Sequence, residues 1–115
     1  MIKNLIKTSI VASGVLATSA FAQTFSNVSL TLVGCNAGST TCFANTTSDV
    51  GDGTCANSRQ VRWDGGTSTG KNITAIMLTA KASGSPVTLG TVASTCFGGA
   101  GNFPELNFVS VVEAE

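Results

Sequence analysis

Histidine and tyrosine are both missing from the 115 residues. Without histidine the chain lacks the commonest general base and the commonest metal ligand. No Ser-His-Asp set or Cys-His pair can be assembled, and no glycine-rich loop runs into Lys-Ser or Lys-Thr. An enzyme is therefore not expected, and no cofactor is implied. Charged side chains make up only 10% of the chain, proline occurs twice and tryptophan once. Beyond the first 22 residues no apolar run approaches the length needed to cross a membrane.

Those first 22 residues read as an export leader. Lys3 and Lys7 supply a positive n-region, Thr8 to Thr18 a run of small and aliphatic residues, and Ala20-Phe21-Ala22 an A-x-A cleavage site. Cleavage after Ala22 leaves a single domain of 93 residues, 23–115, in a periplasm or outside the cell. Removing the leader leaves four basic and six acidic side chains, a net charge of −2. That balance disfavours a nucleic-acid partner.

Four cysteines remain: Cys35, Cys42, Cys55 and Cys96. In an oxidising compartment they read as two disulfides, with three possible pairings. Cys35–Cys42 with Cys55–Cys96 is favoured. The first closes a short polar loop. The second ties the approach to the strand before the helix to the exit of the strand after it. On a loop-entropy model the two constrain the unfolded chain by roughly 2.5 and roughly 4 kcal/mol.

One helix is expected, over Lys71–Gly84. Ile73, Ile76, Met77 and Ala80 fall on one face of a 3.6-residue period, and Ala75, Leu78 and Ala82 widen it enough to predict a largely buried helix. Asn72 or Thr69 is expected to cap its start. Gly84 should end it, with Pro86 blocking continuation. A buried strand is the competing reading of this short apolar run.

Alternation places strands elsewhere. Phe25–Val33 reads as one strand with Val28, Leu30 and Leu32 on one side, and 40–45 as a short second strand around Phe43. Arg59–Asp64 has Val61 and Trp63 opposite Gln60 and Arg62. A strand through Val87 and Leu89 ends near Cys96, and Glu105–Val112 pairs Leu106 with Phe108 on one face and Val109 with Val111 on the other. The resulting order, β-β-β-α-β-β, is that of a small five-stranded OB-like barrel, mainly β with one helix. An α+β meander fits the same string.

The pattern Cys55, Trp63, Gly70-Lys71-x-Ile73, Leu78-x-Ala80-Lys81-Ala82-x-Gly84-x-x-Val87, Thr95-Cys96 and Glu105-Leu106 resembles a group of small secreted bacterial OB-like proteins of unknown function. More distantly it resembles the B subunits of subtilase cytotoxin and typhoid toxin. In those a helix ending in glycine precedes a Val-Arg strand, and Ser94-Thr95-Cys96-Phe97-Gly98 echoes their late Ser-x-Cys and Cys-Phe-Gly segment. The resemblance implies an OB-type barrel and, on the toxin side, a pentamer that binds sialylated glycans. Thr88 stands where the toxins carry arginine, and only one cysteine lies near the C-terminus.

Arg59, Arg62, Trp63 and Asp64 are the candidate ligand-binding residues, since an aromatic ring beside two guanidinium groups suits a glycan or a peptide. The competing reading, which is the favoured one, packs Trp63 in the core with Val61 and turns both arginines to solvent. Asp49 and Asp52, in a glycine-containing loop, form a weak calcium candidate beside an ordinary turn. Glu105 and Asp64 are further carboxylates that nothing in the sequence brings together. Three functions follow in order: a binding or assembly module of unknown ligand, a ring-forming lectin subunit that binds glycans, and a calcium-stabilised envelope domain. Expected partners are a glycan, another protein, or further copies of the chain.

Overall fold

The computed structural model describes residues 23–112, so the expected leader at 1–22 lies outside the described residues. Six strands and one long helix follow in the order β1 (Gln23–Val28), β2 (Leu30–Cys35), β3 (Thr41–Thr46), β4 (Gln60–Asp64), α1 (Ser68–Ser83), β5 (Val87–Cys96) and β6 (Pro104–Val111). They form one mixed sheet, β1-β5-β6-β4-β3-β2, in which only β4 and β6 run parallel.

Among the described residues six strands stand where five were expected, and no closed barrel forms. The predicted first strand is broken in two. Asn27 takes a positive φ of 54° and absorbs an extra residue between the pairs Phe25↔Leu89 and Val28↔Val87. Past Ser29 the chain pairs with β3 instead, from Leu30↔Thr46 to Cys35↔Cys42. The two edge strands of the sheet are thus consecutive pieces of one chain.

Helix α1 begins earlier than expected. Thr67 caps it, its Oγ1 accepting from the Gly70 amide at 2.9 Å, so neither Thr69 nor Asn72 holds that role. Gly84 ends it in the left-handed region at φ 72°. The Ser85 amide then donates to the Ala80 carbonyl and the Gly84 amide to that of Lys81, the paired bonds of a Schellman motif.

The helix is less buried than its apolar width suggested. Gly70, Met77 and Ala80 are buried and Ile73 packs beside them, whereas Leu78 is 49% exposed and Ala75 and Ala82 face solvent. A narrow stripe suffices because the helix meets the sheet along one line, with contacts to β2 and β6. Fully burying Met77 contributes about 2 kcal/mol.

The core joins Val28, Cys42, Ala44, Val50, Val61, Trp63, Met77, Ala80, Val87, Leu89 and Leu106. On β6 the expected faces are rearranged. Leu106 opposes Thr91 and Phe108 opposes Gly90, a shift that leaves Asn107 as the extra residue. Leu106 therefore turns into the core, while Phe108, 38% exposed, lies over Gly90 on the other side. Val109 packs against the core cluster.

Both favoured disulfides are present. Cys35–Cys42 joins directly opposed residues of β2 and β3, with Cα atoms 3.9 Å apart. Cys55–Cys96 joins the β3–β4 loop to the end of β5, with a Cα separation of 5.8 Å. Among the described residues no helix is long and apolar enough to cross a membrane.

Candidate functional site

A concavity of about 510 Å³ lies beside β3 and β4 on the face turned away from the core. Alternation puts it there. Cys42, Ala44, Val61 and Trp63 fill the inner face, which leaves Phe43, Asn45, Gln60 and Arg62 on the outer one. Asn45 and Gln60 are register partners and form its floor.

The wall is the β3–β4 loop, which carries Asp49, Asn57, Ser58 and Arg59, with Phe103 across from it. This loop of polar residues holds a shape because it is pinned at several points. Val50 is buried in the core. The Ala56 and Asn57 amides donate to the carbonyls of Gly101 and Asn102 at 2.9 and 2.8 Å. Cys55 is bonded to Cys96, and Asp52 Oδ2 accepts from the Ser94 amide at 2.7 Å. Ser94 itself sits at a positive φ of 52°.

Within the cleft, Asp49 Oδ1 accepts from Ser58 Oγ at 2.8 Å and from Arg59 Nε at 3.0 Å. The Ser58 hydroxyl, and then the Arg59 bond and charge, hold the Asp49 carboxyl below its ordinary value. Along the floor, Arg62 Nε donates to Gln60 Oε1 at 2.6 Å, and Gln60 Nε2 donates to Asn45 Oδ1 at 2.6 Å. The Arg62 guanidinium also stacks on Phe103, its Cζ 3.9 Å from the ring centroid, a cation–π contact.

The four residues singled out from the sequence do not form one site. Arg59 lines the cleft, and Arg62 reaches its edge through Gln60 and Phe103. Trp63 points the other way. It is 3% exposed, and its Nε1 donates to Thr74 Oγ1 at 2.9 Å, so it is the core residue that the competing reading described. Asp64 accepts from the Gly66 amide at 2.9 Å at the turn before the helix. With Glu105 it lines a separate cavity of about 180 Å³ beneath α1.

Thr74 links Trp63 to the helix, since its hydroxyl also donates to the Gly70 carbonyl at 2.9 Å. Thr74→Val leaves the buried indole N–H without its acceptor. A loss of about 1–3 kcal/mol is expected in urea titrations followed by Trp63 fluorescence.

Asn45, Asn57, Ser58, Gln60 and Phe103 were not anticipated. Gln60 shares a strand face with Arg62 and was within reach of pattern reasoning. Asn45 required the strand register, and Phe103 required the loop pinning. The two calcium candidates are committed to separate tasks. Asp49 holds Ser58 and Arg59, and Asp52 holds the Thr54 and Ser94 amides. Among the described residues no group of three or more Cys, Asp or Glu side chains converges.

Three carboxyls lie below their ordinary value: Asp49 as above, Asp52 through Thr54 and then Ser94, and Asp64 through the Gly66 amide and then Thr40. A carboxyl depressed by folding adds stability above its unfolded value, about 4. That stability is lost as the pH falls through the folded value. Melting temperature is therefore expected to hold between pH 5 and 7 and to drop below about pH 4. Asp52→Asn should make that drop shallower in melts across the same range.

No protein-family model matches the chain, and no curated protein sequence matches it at a significant level.

Proposed function

We propose that this protein is an exported, non-enzymatic binding module that takes a carbohydrate in the cleft of Asn45, Asp49, Asn57, Arg59, Gln60 and Phe103. The lining itself carries the reading: three amides, three hydroxyl residues and one ion pair around a single aromatic ring. Amide and carboxylate side chains match the closely spaced donors and acceptors of vicinal hydroxyls. An aromatic face suits the apolar side of a sugar ring. Binding is favoured over catalysis because the Asp49 carboxyl is held low by its partners, far from the range of a base poised near neutral pH.

The topology supports this placement. If β1 and β2 are taken as one kinked first strand, the order and the parallel β4–β6 pair match a partly open OB-like arrangement, with β3 and β4 as its second and third strands. That face of an OB-fold is used for oligosaccharides and oligonucleotides. The net charge of −2 after leader removal favours the sugar. The paired disulfides fit an oxidising compartment. The resemblance to toxin B subunits adds a ring of identical copies as the assembled form.

The test is a glycan array probed with the oxidised protein, with hits followed by amide NMR. Shifts confined to Asn45, Asn57, Arg59 and Gln60 support the reading. Hits that shift residues elsewhere, or no hits at all, remove it. Light scattering reads the assembly separately, and a mass of one copy rules out the ring.

A further inference from the structure

The hydrogen bonds along the cleft floor have a direction, and Arg62 sets it. Arginine has five N–H donors and no acceptor. Its Nε faces Gln60 at 2.6 Å, so Gln60 must turn its oxygen toward Arg62 and its NH2 toward Asn45. Asn45 in turn must offer its oxygen to Gln60 Nε2, also at 2.6 Å. The Asn45 NH2 is then left over, with no acceptor among the described residues. The guanidinium has little freedom to reverse this order, because its plane is held against Phe103 and its strand position is fixed opposite Phe43.

The floor therefore shows N–H groups to the cleft, from Asn45 Nδ2 and the second hydrogen of Gln60 Nε2. Arg59, on the loop wall, is a further donor, since only its Nε is engaged by Asp49 and the rest of its fork has no acceptor among the described residues. The wall thus offers donors as well as acceptors. The unused acceptors, Asp49 Oδ2 and Asn57 Oδ1, belong to the loop wall instead.

We propose that Arg62, which does not itself line the cleft, is a positioning residue that fixes this polarity. The ligand group resting on Asn45 and Gln60 is thereby required to accept hydrogen bonds, as a carbonyl or carboxylate oxygen does. The inference rests on the cleft being the binding site and adds which way round a ligand lies: acceptors against the strands, hydroxyls against the loop.

The direction of the relay is readable without any ligand. Scalar coupling across the hydrogen bond should connect Gln60 Nε2 to the Asn45 side-chain carbonyl carbon in the wild type and in Arg62→Lys, which retains a donor. In Arg62→Glu the new carboxylate accepts from the Gln60 NH2, and the coupling should run from Asn45 Nδ2 to the Gln60 carbonyl carbon. Acetate is the acceptor probe and guanidinium ion the donor probe, both titrated at 0.5 M salt so that bare charge is screened to within roughly 4–5 Å.

The Asn45 and Gln60 side-chain signals should respond to acetate in the wild type and in Arg62→Lys. In Arg62→Glu that response should weaken on the order of tenfold, the scale of one lost hydrogen bond to a charged group, while guanidinium gains one. A wild-type coupling in the opposite sense overturns the proposal, as does an unchanged acetate response in a folded Arg62→Glu protein or silence toward acetate in the wild type. Failure of the carbohydrate reading looks different: the couplings and acetate responses stand, and no glycan moves the same signals.

Discussion

Gly70→Ala is expected to destabilise the protein by about 3 kcal/mol or more, beyond the usual range for a single added methyl group. Gly70 sits in the first turn of α1, at the point where the helix folds back over the turn that follows β4. A Cβ there would lie inside the contact distance of the Asp64 carbonyl oxygen and crowd the Cα of Gly65. These are backbone atoms, and no rotamer change relieves them. The same residue receives the helix cap from Thr67 and lends its carbonyl to Thr74, the partner of Trp63. Shifting the helix start should therefore disturb the indole as well. Gly38→Ala is the matched control, since nothing lies near its added Cβ. Urea unfolding of the two variants reads the contrast, and a Gly70→Ala protein within 1 kcal/mol of the control removes this account of how the helix docks.

Breaking Cys55–Cys96 with a Cys55→Ser, Cys96→Ser pair should cost about 4 kcal/mol, because the bridge spans 41 residues of sequence. The corresponding change at Cys35 and Cys42, seven residues apart, should cost about 2.5 kcal/mol. The two losses differ in place as well as size. Cys55 lies in the loop that walls the cleft, and the Ala56 and Asn57 amides directly after it donate to the carbonyls of Gly101 and Asn102. Without the bridge, hydrogen exchange should accelerate at Ala56 and Asn57 while the amides of β3 and β4 stay protected. Equal exchange in both regions would mean that the loop is held by its other anchors, Val50 and Asp52.

Pattern reasoning located the helix because apolar spacing at i, i+3, i+4 and i+7, followed by a glycine and a proline, fits a helix better than the alternation a strand would need. The C-terminal glycine was legible for a similar reason, since a left-handed residue at a helix end is usually glycine. The split of the first strand was not. Asn27 adopts the same left-handed region within a stretch whose alternation continues through it, and asparagine's modest preference for that region is too weak a signal to override the alternation. On β6 the single extra residue at Asn107 exchanges the faces of everything before it relative to everything after it, so a faithful alternation gave the wrong partner for Leu106.

The cleft was half visible for a related reason. Gln60 and Arg62 share a face by counting alone. Asn45 joins them only through register, and Phe103 only because a disulfide and two backbone hydrogen bonds draw distant loops together. Trp63 and Arg62, adjacent in sequence, stand on opposite sides of the sheet because successive strand residues must.

The division of the first strand between both sheet edges also bears on how the chain reaches its structure. β2 and β3 follow one another through a short turn, and β3 and β4 through the cleft-walling loop. These antiparallel neighbours can therefore pair from contacts close in sequence. β1 precedes them all, yet Gln23 pairs with Thr91, so the first of the described strands to be synthesised waits for one of the last. Until β5 arrives, Phe25 and Val28 have no partner strand. Such non-local closure slows folding, and it leaves a sticky N-terminal segment on the half-made chain. A helper that shields residues 23–28 during that interval should raise the yield of folded protein more than one acting on any other strand.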